Sequence, residues 1–461
     1  MGEEQFCVKK RLKNVLPVRL IVVSFAVVIL VGAVLLTLPV TSRNGMPTGF
    51  IDSLFTATSA TCVTGLVVFD TWTHWNLLGQ IIIILLIQIG GLGVITFTTG
   101  FSMLVRRKIG LRDLQLATEN TSGDTINIKH LIKIILFFTF FCELTGAALL
   151  MLRFVPQFGA KGIWIAMFTA ISAYCNAGFD ILGFLMKDGN LIPYVSDPLV
   201  CLTVGGLIVI GGLGFVVISD IYNAQLLTRL HKRKAVHLNF HSTLVLMMTA
   251  ILIVSGTVLF LICENDNTLL GMDFGTKLNA SLFQSISART AGFCTVDIAK
   301  EHDFTKIITV ILMFIGASPA GTGGGIKTTT FIVLLATVAS VMRGNEETTI
   351  LKRRVDKFTV YRALAIFSTA AMVILITTGI ILTADQDVNG IDALFEATSG
   401  FGTVGLTAGV TQALSWISKL AVTLTMFIGR VGPVSLGLAL TLRRGRHCAG
   451  FVLPEGKVIV G

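Results

Sequence analysis

The chain has 461 residues, 53% of them hydrophobic and only 13% charged, with a formal net charge of +10. A soluble domain carries about 25% charged residues, so a water-soluble globular particle is excluded: half that share leaves too little polar surface to cover one. The positive balance, which in a soluble protein would point to nucleic acid, needs another explanation here.

In chain order, a basic stretch (Lys9, Lys10, Arg11, Lys13) precedes a first apolar run at 20–38. A cleaved signal has a core of about 7–15 residues and a small-residue cleavage site; this run is longer and ends on Leu38-Pro39, so it is predicted to remain as a span. Uncharged runs follow at 77–105, 198–219, 242–262, 307–326 and 363–384, while 134–152 carries Glu143 and 420–442 carries Arg430. Each is near or above the roughly 20 residues that cross a bilayer as a helix, which predicts eight transmembrane helices. Lysine and arginine gather at the N-terminus and in alternate loops, at 106–112, 229–234, 343–357 and 443–446, and are sparse in the others. The positive-inside rule then puts both termini in the cytoplasm of a multi-pass protein of the cell membrane. The charge reads as topology, with no nucleic-acid partner; the basic loops at 106–112, 229–234 and 343–357 are candidates for docking anionic lipid or a cytosolic partner. The eight cysteines form no C-x-x-C pair and read as small buried hydrophobes.

Between successive spans lie short segments that resemble one another: "LFTATSATCVTGL" from Leu54, "MFTAISAYCNAGF" from Met167, "LFQSISARTAGF" from Leu282 and "LFEATSGFGTVGL" from Leu394. Their closing glycines, Gly65, Gly178, Gly292 and Gly405, are spaced by 113, 114 and 113 residues, a regularity that chance does not give. The following spans agree as well, with "IQIGGLG", "IVIGGLG", "MFIGASP" and "MFIGRVG" at matching places. The predicted fold is an all-α membrane protein of four parallel span–pore-helix–span repeats, eight transmembrane helices and four re-entrant half-helices around a pseudo-fourfold axis. The repeats are assigned to 19–105, 131–221, 242–342 and 361–445. Cytoplasmic loops at 106–130, 222–241 and 343–360 separate them, with termini at 1–18 and 446–461.

A short helix that stops at membrane depth leaves carbonyls unpaired, which is tolerated only against protein or around a water-filled pathway. Four carbonyl-bearing loops around one axis can replace the hydration shell of a cation; anion or sugar transport does not call for them. The residues before each glycine are short, as such a ring requires: Cys62, Val63 and Thr64; Cys175, Asn176 and Ala177; Thr290 and Ala291; Thr403 and Val404. Each glycine permits φ > 0 beside the ion. Half-helix C-termini would turn their negative ends to a cation, and Asp52 and Asp392 suit the opposite ends. The competing reading, glycines that only let helices pack closely, does not require four copies.

These loops, "TCVTG", "CNAGF", "RTAGF" and "GTVGL", resemble those of the Trk/Ktr/HKT superfamily of potassium transporters, and the likeness extends over about 15–445. With no extra N-terminal pair of spans, the chain is most similar to the bacterial Ktr-type pore-forming subunit. The resemblance implies selective potassium uptake through a pore made by one chain, a homodimer, and a cytosolic ring of nucleotide-binding, RCK-type regulatory subunits. K+ is then the transported ion, held at the filter residues alone, and no cofactor is expected. In the plant branch serine at the first filter glycine accompanies sodium permeation, so Gly65 favours potassium. Only one glycine per repeat is shared, which implies fewer tight sites than in tetrameric potassium channels.

The third repeat's second span is interrupted by "SPAGTGGGIK" at 318–327. A phosphate-binding P-loop needs Gly directly before Lys and a strand before the loop; here Ile326 intervenes and a membrane helix precedes. One proline would suffice for a packing kink. Gly321, Gly323, Gly324 and Gly325 make the segment pliable, and Ser318, Thr322 and Lys327 make it polar. Such a loop, within 316–330, can plug a cation pathway or swing aside, and in the family the corresponding stretch is the gate. Arg430 is alone in the last span, where a charge costs some 2.5–3.5 kcal/mol on insertion scales. It is expected to donate to carbonyls near 321–325, the alternative being an ion pair with Glu143 or Glu396. A carrier coupled to sodium or protons, or one less selective between potassium and sodium, is the second function considered. An enzyme is disfavoured: the seven histidines all lie outside the apolar runs and there is no H-E-x-x-H.

Overall fold

A computed structural model describes residues 17–93, 128–186, 190–231, 238–433 and 435–437. The expected N-terminal residues before 17, the basic loop at 106–112 and the C-terminus beyond 445 lie outside these. Leaving single turns aside, the described chain is helical, in the order α1 Pro17–Thr37, α2 Phe50–Cys62, α3 Leu77–Leu92, α4 Ile128–Phe158, α5 Ala160–Tyr174, α6 Pro198–Leu213 and α7 Phe215–His231. There follow α8 Phe240–Glu264, α9 Phe274–Ser287, α10 Asp303–Phe314, α11 Thr328–Met342, α12 Lys357–Ala384, α13 Gly390–Gly402 and α14 Trp416–Val431. A small hairpin of β1 Thr349–Ile350 and β2 Arg353–Arg354 lies in the 343–360 loop.

Three stretches, Ile134–Phe158, Phe240–Glu264 and Lys357–Ala384, are helices long and apolar enough to cross a membrane, and α6 with the first part of α7 forms a fourth if its 93° bend is counted within one span. Of the apolar runs read above as single spans, 198–219 is interrupted at Gly214, and the described helices in 77–105 and 420–442 stop at Gly93 and Gly432. Helices α3, α6 and α14 end at Gly93, Gly214 and Gly432, whose φ of 79°, 90° and 89° with ψ near 132°, 143° and 132° is a combination that L side chains rarely adopt. The signal was present: each of these glycines stands three residues after Gly90, Gly211 or Gly429. At the equivalent place the third repeat has Pro319, followed by Ala320 at φ 58°.

Three of the four short helices, α2, α9 and α13, carry a carboxylate at their start; α5 begins at Ala160 after Gly159 and carries none. Asp273 caps α9 by accepting from the Thr276 amide, and Asp52 and Asp392 lie in the first turns of α2 and α13, where the helix dipole favours a negative charge. Each packs against the long helix before it (α1, α4, α8, α12) and against the second helix of the preceding repeat. Those inter-repeat contacts recur at one register and close a circle. Lys306 Nζ of α10 meets Asp392 of α13 at 2.8 Å, and Lys419 Nζ of α14 meets Asp52 of α2 at 2.8 Å. Trp164 of α5 donates to Gln80 of α3 at 2.9 Å, and Cys201 of α6 meets Asn279 of α9. Two junctions are ionic and two neutral, on the same framework.

Candidate functional site

The four short helices end at four loops with one conformation. Val63, Asn176, Thr290 and Thr403, each two residues before its glycine, have φ of 59°, 60°, 70° and 49°, and Gly65, Gly178, Gly292 and Gly405 follow at 95°, 68°, 78° and 92°. Left-handed backbone at a β-branched residue is a genuine outlier, of the kind that persists only where the surroundings over-determine it, at about 1–3 kcal/mol each. The restraint comes from a serine in each short helix. The Ser59, Ser172, Ser287 and Ser399 carbonyls accept the amides of Thr64, Ala177, Ala291 and Val404 at 2.7, 2.7, 3.0 and 2.9 Å. The Ser59 and Ser399 hydroxyls also accept the Gly65 and Gly405 amides, at 3.0 and 3.1 Å.

The glycines close a ring. A Cβ on Gly65 would stand 2.4 Å from the Ala177 carbonyl oxygen, one on Gly178 2.7 Å from that of Ala291, one on Gly292 2.5 Å from that of Val404, and one on Gly405 2.1 Å from that of Thr64. Each repeat thus presses the carbonyl before its glycine against its neighbour's glycine, all the way round. Glycine is required twice over, by φ and by space. Cys62 and Cys175 stand one residue earlier; Cys62 ends α2, and Cys175 packs on Gly91 with its thiol toward Gln88 and Glu143. On one side of the ring a cavity of about 220 Å³ is lined by all four glycines together with Asp70, Asp180 and Asp297. These carboxylates were not singled out from the sequence, although Asp70 and Asp297 both stand five residues after their glycine.

The 318–327 loop lies against the ring's residues. A Cβ on Gly323 would be 1.9 Å from Thr290 Oγ1 and one on Gly324 2.3 Å from Thr403 Oγ1, so side chains are excluded there by the loops above. The Ser318 and Thr322 amides donate to the Gly212 and Gly211 carbonyls at 3.1 and 3.2 Å, and the Ala320 carbonyl accepts from the Phe215 amide at 3.1 Å. The loop is therefore knitted into the break between α6 and α7. Lys327 Nζ turns back on it and donates to the Gly323 carbonyl at 2.7 Å. Its base is closed by a parallel bridge between Ile315 and Ile326, and by Gly316 against Gly325. Gly321 and Gly325 are tightly surrounded by backbone of α6 and of Gly402.

Arg430, partly buried, donates from Nη1 to the Thr322 carbonyl and from Nη2 to the Gly90 carbonyl. It ties the loop of the third repeat to the end of α3 in the first. The alternative ion pairs are not formed: Glu143 accepts from Gln88 Nε2 at 3.0 Å, and Glu396 from Thr411 Oγ1 at 2.8 Å and the Ala408 amide at 3.2 Å. The Gly90 partner was not legible, because it is a backbone carbonyl at the end of α3, which also accepts the Gly93 amide at 3.2 Å.

Over residues 17–444 the sequence matches the family described as TrkH: Cation transport protein. The chain belongs to the TrkH family. It is 39% identical over 448 residues to Ktr system potassium uptake protein B of Bacillus subtilis, covering 96% of this chain and 97% of that one. The protein of the same name from Vibrio alginolyticus is 40% identical over 427 residues, 92% and 90% of the two chains. Potassium/sodium uptake protein NtpJ of Enterococcus hirae is 37% identical over 460 residues, 98% and 99% of the two. The fold resembles the crystal structure of the potassium transporter TrkH from Vibrio parahaemolyticus, with a TM-score of 0.69 at 17% identity over 91% of this chain and 83% of that one. Membership of the TrkH family makes this a membrane protein of a cation-transport family, not of an enzyme family.

Proposed function

We propose that the chain takes up potassium across the cell membrane through the glycine ring, with the 318–327 loop as the gate. In this reading the chain has eight transmembrane helices, both termini in the cytoplasm, and α2, α5, α9 and α13 as re-entrant half-helices around a pseudo-fourfold axis. The observation that carries it is the closed circle in which each glycine receives its neighbour's carbonyl. Backbone oxygens at 62–65, 175–178, 290–292 and 403–405 replace the ion's water. Asp70, Asp180 and Asp297 concentrate cations at the mouth. K+ is cargo, and no cofactor takes part.

The gate is closed by the polar loop under the ring, with Ser318, Gly321, Thr322, Gly323, Gly324, Gly325 and Lys327 filling the path. Arg430 pins the loop and sets a positive charge against the ion. A cytosolic nucleotide-binding ring of RCK type acts on the gate from the basic cytoplasmic face of a homodimer, which anionic lipid also contacts; the word "system" in the names of the Ktr relatives supports a partner subunit. Potassium is favoured over a mixed potassium/sodium carrier by Gly65 and by those two names. Tracer rubidium uptake into liposomes carrying the purified protein tests the reading. Potassium should compete far better than sodium; equal competition would make this a less selective carrier, and tight vesicles without uptake would remove the ring as a pathway.

A further inference from the structure

The fourth loop carries a polar triangle that the transport reading leaves without a task. At the register of Glu396 the other short helices have Thr56, Thr169 and Gln284. Glu396 is fully buried in α13 and reaches the segment that follows Gly405. Its Oε1 touches Thr407 Oγ1, its Oε2 lies 2.8 Å from Thr411 Oγ1, and the two hydroxyl oxygens are 2.8 Å apart. The Ala408 amide donates to Oε1 at 3.2 Å, and the Gly409 amide to Thr407 Oγ1 at 3.0 Å. Thr407, Gly409 and Thr411 line the cavity beside the glycine ring.

These contacts fix heavy atoms and leave the hydrogens to be assigned. The three edges of the triangle need three hydrogens, and two threonine hydroxyls supply two. With Glu396 ionised, both hydroxyls point at the carboxylate, and the Thr407–Thr411 edge is two oxygens in contact with no hydrogen between them. With Glu396 protonated every edge is filled: Glu396 Oε2–H donates to Thr411, Thr411 to Thr407, and Thr407 to Glu396 Oε1. Among the described residues no basic side chain pairs with Glu396, and a buried charge without a partner is costly. On its own helix it faces Asp392, which is paired with Lys306 of α10. On α12 and α14, Asp385 is bonded to Ser415 and Lys419 to Asp52. The carboxylates lining the cavity, Asp70, Asp180 and Asp297, come from the first three repeats, and the fourth contributes none. We infer that Glu396 binds a proton that closes the triangle, and that releasing it at alkaline pH gives the mouth a fourth negative charge and a tighter hold on cations. The proton leaves to water in the cavity; Thr411 turns its hydrogen to the carboxylate, and half-buried Thr407 keeps a free lone pair at the cavity wall. The effect on uptake rests on the transport reading, in which cations reach the ring through this cavity.

Rubidium uptake into liposomes buffered alike on both sides tests the consequence, and infrared spectra of the purified protein test the proton. Between about pH 6 and about pH 9, the range in which buried carboxyls titrate, the wild-type KM for rubidium should fall severalfold. In Glu396→Gln the amide can donate to Thr411 and its carbonyl accept from Thr407, so the triangle stays filled. That variant should fold and hold the wild type's low-pH KM at every pH. Alkaline titration should remove from the wild type a protonated-carboxyl C=O band that Glu396→Gln never shows. A wild-type KM indifferent to pH, a Glu396→Gln variant that keeps the wild-type pH dependence or does not fold, or identical carboxyl bands in the two proteins overturns the inference. If the wild type passes no rubidium at any pH, the transport reading fails instead, and the infrared band alone decides the proton site.

Discussion

At Gly65, Gly178, Gly292 and Gly405 the chain uses one loop four times, with the same left-handed residue before the same glycine and the same serine behind it. At 316–327 it does the reverse. Among the described residues, three of the four second helices end at a single glycine, while the third is followed by a loop lying against the residues of the ring. The difference teaches how the two tasks divide. In the proposed reading, surrounding a cation takes oxygens from every side, so the ring needs all repeats alike. Control would be built once, in the third repeat, and the loop's contacts come from elsewhere: Arg430 of the fourth repeat, Gly90 of the first and the α6–α7 break of the second.

Substitutions that damage the ring should have the largest effect. In Gly292→Ala the left-handed backbone alone costs about 1–2 kcal/mol, and the new Cβ would meet the Val404 oxygen at 2.5 Å. Rubidium uptake should fall by at least about tenfold, one decade per roughly 1.4 kcal/mol, and uptake at the wild-type rate would break the comparison. Next comes the framework. Lys306→Met leaves the half-buried Asp392 without its partner, a loss at or below the low end of the roughly 3–5 kcal/mol for a fully buried pair, to be read as a lowered unfolding temperature in detergent. Lys306→Met with Asp392→Leu should recover most of it, while Gln80→Leu, at a neutral junction, should cost about 1 kcal/mol.

Substitutions at the loop should act in the opposite direction to those at the ring. Arg430→Ala removes two hydrogen bonds from a charged group, each of about 1.5–3 kcal/mol; uptake at equal expression should rise about tenfold, and Arg430→Lys should rise less. Lys327→Met removes the single contact to the Gly323 carbonyl and should raise uptake a few-fold, with unchanged competition by potassium and sodium. A loss of uptake in either would make these residues part of the conducting path and not of its closure.

The ring was the more legible region in the sequence. Four glycines at near-constant spacing, each after a phenylalanine–serine segment, disclose a repeated loop without any coordinate. The oddity of four glycines and a lysine in an apolar run likewise marked 318–327. What remained hidden was of two kinds. The helix ends at Gly93, Gly214 and Gly432 lie in runs apolar enough to read as unbroken helices, since glycine there serves packing equally well. The bracing partners (the Gly90 carbonyl for Arg430, the serine carbonyls for the loop amides) are backbone groups, which carry no residue-type signal. The Lys306–Asp392 and Lys419–Asp52 pairs are separated by 86 and 367 residues and become neighbours only once the circle closes.

If the ring selects and the loop controls, removing the loop should change the rate of uptake and leave its selectivity. Because Ile315 and Ile326 are already bridged, and Gly316 lies against Gly325, residues 318–325 can be removed without displacing α10 or α11. Rubidium uptake by this deletion should exceed that of the intact chain severalfold, while the preference for potassium over sodium as competitor stays the same. Uptake that does not rise, or a preference that disappears with the loop, would contradict the account.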